Sequence, residues 1–341
     1  VSLPKRNSFK QIGADWSLSV PDYIASAEWW GDELAVLGGE GDLYLIAADG
    51  KVRATVSAHS TGGLAVACSA VAERIATGGQ EKKVRLWTLD GSVAGSVQAD
   101  GHSVDLLSWS SSLPLLAIGS GKRVLLASPE GKIAQTLESH RTSITGVQWS
   151  RDGKRLATAA FDGIRLWDAT TGRLINEYDA EAPFISAAWN PMGDVVVGGT
   201  QEAALLIWIC SQNMQFQAGP FDSKVKELGW DSSGRYLATA AGLDITLWDF
   251  VTRDMQGNRP VYLCGHQDLV TKVAWQPAGA RLASGGRDGA AYLWKPTENT
   301  LPLSYYHLGE EVSVLRWKEG TDRLVVGTIA GTIACLTARD N

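Results

Sequence analysis

Tryptophan returns along this chain at intervals of about forty residues. Trp29, Trp109, Trp149, Trp189, Trp230, Trp275 and Trp317 each end a short apolar stretch, and Cys68 stands where one more would fall. The successive intervals are 39, 41, 40, 40, 41, 45 and 42 residues, dividing the 341-residue sequence into eight units. A fixed period of this size marks a chain built from copies of one supersecondary unit, each unable to bury its apolar surface alone. Aligning "ITGVQWSRDGKRLATAAFDGIRLWD" (144–168) with "VTKVAWQPAGARLASGGRDGAAYLWK" (270–295) superposes nearly every apolar position.

Within a unit, apolar and polar residues follow a period of two, which indicates strands and excludes a helical solenoid. Unit four reads as strands at 144–149, 155–158 and 164–167, then a more polar one at 174–179. Third strands such as "VRLW", "VLLA" and "LLIW" are almost wholly apolar, as suits sheets covered on both faces. "SRDGK", "NPMGD", "DSSGR" and "QPAGA" make tight turns between first and second strands. Four-stranded antiparallel blades packed radially around a channel leave only short edges. The expected fold is therefore all-β: a single eight-bladed β-propeller occupying residues 1–341.

The element that closes each unit resembles the WD40 family. It reads "VRLWT" at Trp87, "IRLWD" at Trp167, "LLIWI" at Trp208, "ITLWD" at Trp248 and "AYLWK" at Trp294, with the family's Asp following only Trp167 and Trp248. Its GH element is intact at Gly101-His102 and Gly265-His266, and His59, His140 and His307 stand in similar places. Units one, three and eight are degenerate, with Ile46, Ala127 and Cys335 in the closing position. The resemblance covers essentially the whole chain. It implies internal hydrogen-bonded sets: His140, Thr158, Asp162 and Trp167; His266, Ser284, Asp288 and Trp294; and His59, Thr77, Glu81 and Trp87, with Glu in place of Asp. Groups of this kind, once taken from water, each need a partner.

Unit eight ends at "TIACLTARDN", about where its fourth strand should start. Just ahead of unit one lies "ADWSLSV", with Trp16, Leu18 and Val20 on one side of a strand pattern. Residues 14–20 are expected to supply the missing strand and close the last blade. The residues before them, "VSLPKRNSFKQIG", offer no good further strand.

Composition narrows the function classes. With 45% hydrophobic residues a well-buried core is available, and no apolar run reaches membrane-spanning length. A net charge of −6 argues against nucleic acid or an anionic membrane as partner. The first fifteen residues carry Lys5, Arg6 and Lys10 without the apolar stretch of a signal peptide, although the sequence does not begin with Met and a removed leader stays open. Cys68, Cys210, Cys264 and Cys335 lie far apart, without zinc or redox spacing, and read as small buried hydrophobes of a cytoplasmic protein.

The motifs that suggest chemistry give way on inspection. "IGSGKRV" lacks the Ser or Thr that a phosphate loop needs after its Lys and reads as a strand-joining turn, as does "LGGEGD". The His, hydroxyl and carboxylate sets repeat from unit to unit, which favours a structural over a catalytic role. The five histidines are spread over separate blades, too far apart to converge on one metal ion. No catalytic residue, metal or cofactor is expected.

Surface recognition remains. Loops joining strand four to strand one, and strand two to strand three, share one face of such a blade. The resemblance places the residue before each Asp or Glu there: Gln80, Phe161, Gln201, Leu243 and Arg287. Neighbouring loops add Arg141, Phe184, Phe221, Lys224 and Gln267. Aromatic residues and Arg are enriched at binding hot spots. On the other face, "FVTRDMQGNRP" (250–260) is longer than its counterparts. The chain reads as a monomeric, non-enzymatic scaffold for a protein or peptide partner; the alternative is a propeller holding a small molecule, metal or cofactor at its channel, with enzymatic activity.

Overall fold

The computed structural model describes residues 9–100, 103–138, 140–179, 183–210, 212, 214–251 and 259–339. Among them the regular structure is all strand, in eight sheets, seven of four antiparallel strands and one of five, the fold class of an eight-bladed β-propeller. Contacts gather the chain into two compact units, Ala25–Trp189 and Val1–Ile24 with Asn190–Asn341.

In the first unit, blade two comprises Gly63–Ser69, Arg74–Gly79, Lys83–Trp87 and Val93–Gln98, and blade four Ile144–Trp149, Arg155–Ala160, Gly163–Asp168 and Arg173–Asp179. In the second, blade six comprises Glu227–Trp230, Tyr236–Ala240, Ile245–Asp249 and Val261–Leu263, and blade seven Val270–Trp275, Leu282–Gly286, Ala290–Trp294 and Ser304–His307. Second and third strands are buried almost throughout while the fourth alternate or lie exposed, matching the apolar-then-polar order of each repeat.

The core lies between successive blades. Ala117, Val124 and Leu126 of blade three (Leu107–Trp109, Leu116–Ser120, Arg123–Ala127 and Ile133–Glu138) pack on Trp149, Leu156 and Trp167 of blade four. Ala283 and Leu293 of blade seven pack likewise on Leu315, Trp317 and Leu324 of blade eight. The recurrent tryptophan at the end of strand one has a polar role as well. Trp149 Nε1 donates to Ser108 O at 2.9 Å, Trp109 to Ala67 O at 3.2 Å, Trp275 to Gly229 O at 3.0 Å and Trp317 to Ala274 O at 2.9 Å. In each case the acceptor is the residue just before the corresponding position of the previous blade. In these four blades the indole that ends strand one thus ties its blade to the one before it, whereas Trp189 Nε1 and Trp230 Nε1 are buried without a hydrogen bond among the described residues.

Blade eight comprises Val312–Trp317, Arg323–Thr328 and Thr332–Thr337, completed by Trp16–Ser19 running antiparallel to the last of these, with Trp16 opposite Cys335 and Ser19 opposite Thr332. Backbone bonds from Asp15 N to Cys335 O and from Val20 N to Gly331 O extend the ladder at both ends. The segment ahead of it corrects the sequence reading. Lys10–Gln11 form a short fifth strand, parallel to Ser304–His307 of blade seven, and Ile12 N donates to Tyr305 O at 2.9 Å. Phe9 meets Tyr292 edge-on at 6.0 Å. Two residues carry no legible period, so this strand had no signal in the sequence.

Candidate functional site

Each histidine set lies at one end of its blade. The histidine precedes strand one, the hydroxyl lies on strand two, the carboxylate in the turn to strand three, and the tryptophan near the end of strand three. In blade four, Trp167 Nε1 donates to Thr158 Oγ1 at 2.9 Å, Thr158 Oγ1 is 2.8 Å from His140 Nε2, and His140 Nδ1 is 3.0 Å from Asp162 Oδ1. The corresponding distances in blade seven are 2.8, 2.8 and 3.1 Å for Trp294, Ser284, His266 and Asp288. In blade two they are 2.9, 3.0 and 3.1 Å for Trp87, Thr77, His59 and Glu81. A single proton order satisfies every member: indole N–H to hydroxyl, hydroxyl to Nε2, and Nδ1–H to carboxylate. Glycine gives the ring room in blade seven, where a methyl group on Gly286 would stand 2.6 Å from His266 Nδ1.

Electrostatics agree with neutral rings against ionised carboxylates. Burial pushes the imidazoles of His59 and His140 below their ordinary value, despite the opposing pull of Glu81 and Asp162. For Glu81, burial acts upward, but hydrogen bonds from Arg85, Ser60 and His59 outweigh it and hold the carboxyl at about 2. Asp288 is likewise held at about 2, with His266 and the backbone N–H groups of Gln267 and Ala290 overcoming its burial. The Ser284 hydroxyl is fully buried, as is Thr77, leaving no approach for a substrate to either oxygen. No group of three or more His, Cys, Asp or Glu among the described residues is placed to hold a metal ion.

Not every histidine or aromatic stands where the sequence suggested. His307 is exposed at the end of an outer strand, outside any set, and His102 lies outside the described residues, as do 252–258 of the long loop. Phe184 is a correction: it is fully buried at the start of Phe184–Trp189, the first strand of blade five, so it cannot anchor a partner. It takes the place of Ile144 and Val270, five residues before the strand-end tryptophan, and the physical reason is that this position faces the core. Phe221 is a partial correction. Only half-buried, it stacks edge-on against Trp248 at 6.2 Å, nine residues before Trp230, where the other blades carry their histidine. In its absence Thr239 Oγ1 and Trp248 Nε1 are buried without a hydrogen bond.

The remaining loop residues are accessible. Gln80, Arg141, Gln201 and Arg287 are exposed, as are Phe161 at 41% and Leu243 at 39%. Arg141 donates its backbone N–H to Asp162 at 2.8 Å, so the blade-four set holds the loop that presents it. Sequence reasoning passed over Arg165. It is buried on strand three and pairs with Asp179 at 2.7 Å and Glu177 at 3.2 Å. The signal was the charged residue in "IRLW" with carboxylates on the neighbouring strand.

In the second unit the loops of blades six, seven and eight surround a cavity of about 510 Å³. Lys224, Lys226, Leu269, Arg287 and Glu311 are among its walls. Lys272 pairs with Glu227 at 2.8 Å, and Arg287 Nε lies 3.5 Å from Glu311. Gly242, beside Leu243, also borders it. The cavity gathers Lys224 and Arg287; Gln80, Arg141 and Phe161 belong to the other unit.

Comparison with known proteins agrees with this architecture. Residues 107–187 match the profile of the anaphase-promoting complex subunit 4 WD40 domain, and residues 258–295 that of the WD domain, G-beta repeat. The chain is 30% identical over 144 residues to "Cell division cycle 20.5, cofactor of APC complex" of Arabidopsis thaliana, covering 41% of this chain and 31% of that protein. It is 26% identical over 168 residues to "Ribosome biogenesis protein WDR12 homolog" of Anopheles gambiae, covering 47% and 38%. The matched stretches thus span about a third of the length of those relatives. The crystal structure of Saccharomyces cerevisiae Sqt1 shares the fold, with a TM-score of 0.81 over 95% of this chain and 98% of that one at 14% identity. With eight registered units, three complete hydrogen-bonded sets and these matches, the chain is built of WD40-type repeats folded as a β-propeller.

Proposed function

We propose that the chain is a non-enzymatic scaffold that binds a protein or peptide through the loops at the histidine end of its blades. The observation that carries this reading is the cavity of about 510 Å³ among the loops of blades six to eight, walled by exposed Lys224, Lys226 and Arg287 together with apolar Leu269 and Val270. Its walls are side chains that the hydrogen-bonded sets do not use. The scaffold role has support in the relatives, one of which is described as a cofactor of the APC complex and another as a ribosome biogenesis protein. The proposal also takes the protein as a cytoplasmic monomer, in keeping with cysteines that lie far apart in the sequence without zinc or redox spacing.

The test is capture of partners from a lysate on the immobilised full chain, compared with an Arg287→Ala, Leu243→Asp double variant of unchanged melting temperature. The proposal expects a discrete set of proteins lost from the variant. Equal recovery on both would place recognition elsewhere.

A further inference from the structure

The cavity among blades six to eight is unlike the rest of this acidic chain in its charge. Four cations line it, Lys224, Lys226, Lys272 and Arg287, against two carboxylates, Glu227 and Glu311. The carboxylates are engaged, Glu227 by Lys272 at 2.8 Å and Glu311 by Arg287 at 3.5 Å. Lys224 and Lys226 are exposed and have no ion-pair partner among the described residues. The cavity therefore presents two surplus positive charges, on a protein whose net charge is −6.

Their arrangement is as informative as their sign. Val225 between them is fully buried while both lysines are exposed, the in–out alternation of extended backbone. Alternate residues of an extended segment recur about every 7 Å, so a second extended chain can set acidic side chains two apart against both ammonium groups. Leu269 and Val270 supply apolar wall beside them. The chemistry favours carboxylates over phosphate. Bidentate phosphate recognition draws on a free guanidinium fork, and the one Arg here is turned to Glu311. Two fixed carboxylates in the wall also oppose a dianion more strongly than single charges.

We propose that this cavity binds an extended acidic peptide segment of a partner protein, with Asp or Glu two residues apart taken by Lys224 and Lys226. The inference rests on the protein-binding reading above and narrows it to a chemical class.

The experiment is fluorescence anisotropy of a labelled acetyl-Glu-Leu-Glu-Leu-Glu-amide on the full chain, beside its glutamine analogue and an oligothymidylate of equal charge. The glutamate peptide is expected to bind about tenfold or more tightly than the glutamine peptide, as hydrogen bonds to charged groups allow. That advantage should shrink as salt rises. Lys224→Gln with Lys226→Gln should abolish it, whereas Lys154→Gln, on a turn of blade four, should not. Equal binding of the two peptides, an advantage that survives in the double variant, or tighter binding of the oligothymidylate overturns the acidic-peptide proposal. If that happens while lysate partners are still lost from the Arg287→Ala, Leu243→Asp variant, the protein-binding reading stands and only the ligand class falls.

Discussion

Trp167 donates its indole N–H to the hydroxyl of Thr158 at 2.9 Å, with both residues buried, and that hydroxyl also meets His140 at 2.8 Å. The matching pair in blade six, Trp248 and Thr239, is equally buried, yet neither Trp248 Nε1 nor Thr239 Oγ1 has a hydrogen bond. The same substitution should therefore have opposite consequences in the two blades. Thr158→Val strands two buried partners and should cost about 1–3 kcal/mol, whereas Thr239→Val removes an unsatisfied hydroxyl and should be neutral or stabilising. Denaturant midpoints of the two variants decide it. Equal losses would mean that the hydroxyl's bonds contribute nothing.

Space around the imidazole gives a second test. A methyl group at position 286 would lie 2.6 Å from His266 Nδ1 and 2.8 Å from Asp288 Oδ1, while at Gly13 it would meet nothing within 4 Å. Gly286→Ala should cost about 1–3 kcal/mol, the usual range for overpacking. Gly13→Ala should leave the melting temperature unchanged. A Gly286→Ala protein as stable as the parent would show that the set can reorganise freely.

The acid side of the stability profile follows from the same sets. His59 and His140 have their values lowered by burial from an ordinary 6.5, so the unfolded chain takes up their protons first. Their contribution is complete above about pH 6.5 and is lost as pH falls through the lower folded values. Glu81 and Asp288, lowered to about 2 from 4.5 and 3.8, add stability that is present above those ordinary values and lost as pH falls toward 2. Melting temperature at constant ionic strength should be level from pH 8 to 7, decline below about 6.5 and fall more steeply below about 4.5. A flat profile from pH 8 to 4 would contradict the assignment of neutral rings and ionised carboxylates.

Closure of blade eight can be tested by shortening the chain in two steps. Removing residues 1–13 takes away the Lys10–Gln11 pairing and the Phe9 contact with Tyr292 but keeps Trp16–Ser19. Removing residues 1–20 also opens the edge of Thr332–Thr337, an invitation to aggregation. The shorter protein should aggregate or melt markedly lower than the 14–341 form. Two truncations that melt alike would show that the closing strand adds nothing.

The sequence made the architecture legible because tryptophan spacing and strand alternation report burial directly, and the three histidine sets because their members recur at fixed offsets. Surface residues are different. Phe184 and Phe221 looked like anchors because aromatic identity says nothing about facing. Offsets from the strand-end tryptophan would have placed Phe184 with Ile144 in the core and Phe221 in the histidine position. The Lys10–Gln11 strand is too short to show a period, and Arg165 was hidden by an apolar setting that its carboxylate partners make tolerable. The cavity between blades six and eight depends on loops distant in sequence and has no local pattern at all.

The central claim is that frame and recognition reside in different side chains, and one comparison tests it most directly. His140 belongs to the frame, whereas Arg287, with its side chain 53% exposed, borders the cavity. Melting temperature and calorimetric affinity for a partner captured as above should be measured for His140→Ala and Arg287→Ala, well below the melting point of either. Arg287→Ala should melt within about two degrees of the parent, as surface substitutions do, and lose more than about 1 kcal/mol of binding. His140→Ala should melt several degrees lower and bind as the parent does. If Arg287→Ala binds normally, or if affinity is lost only in step with stability, the separation of frame from recognition is wrong.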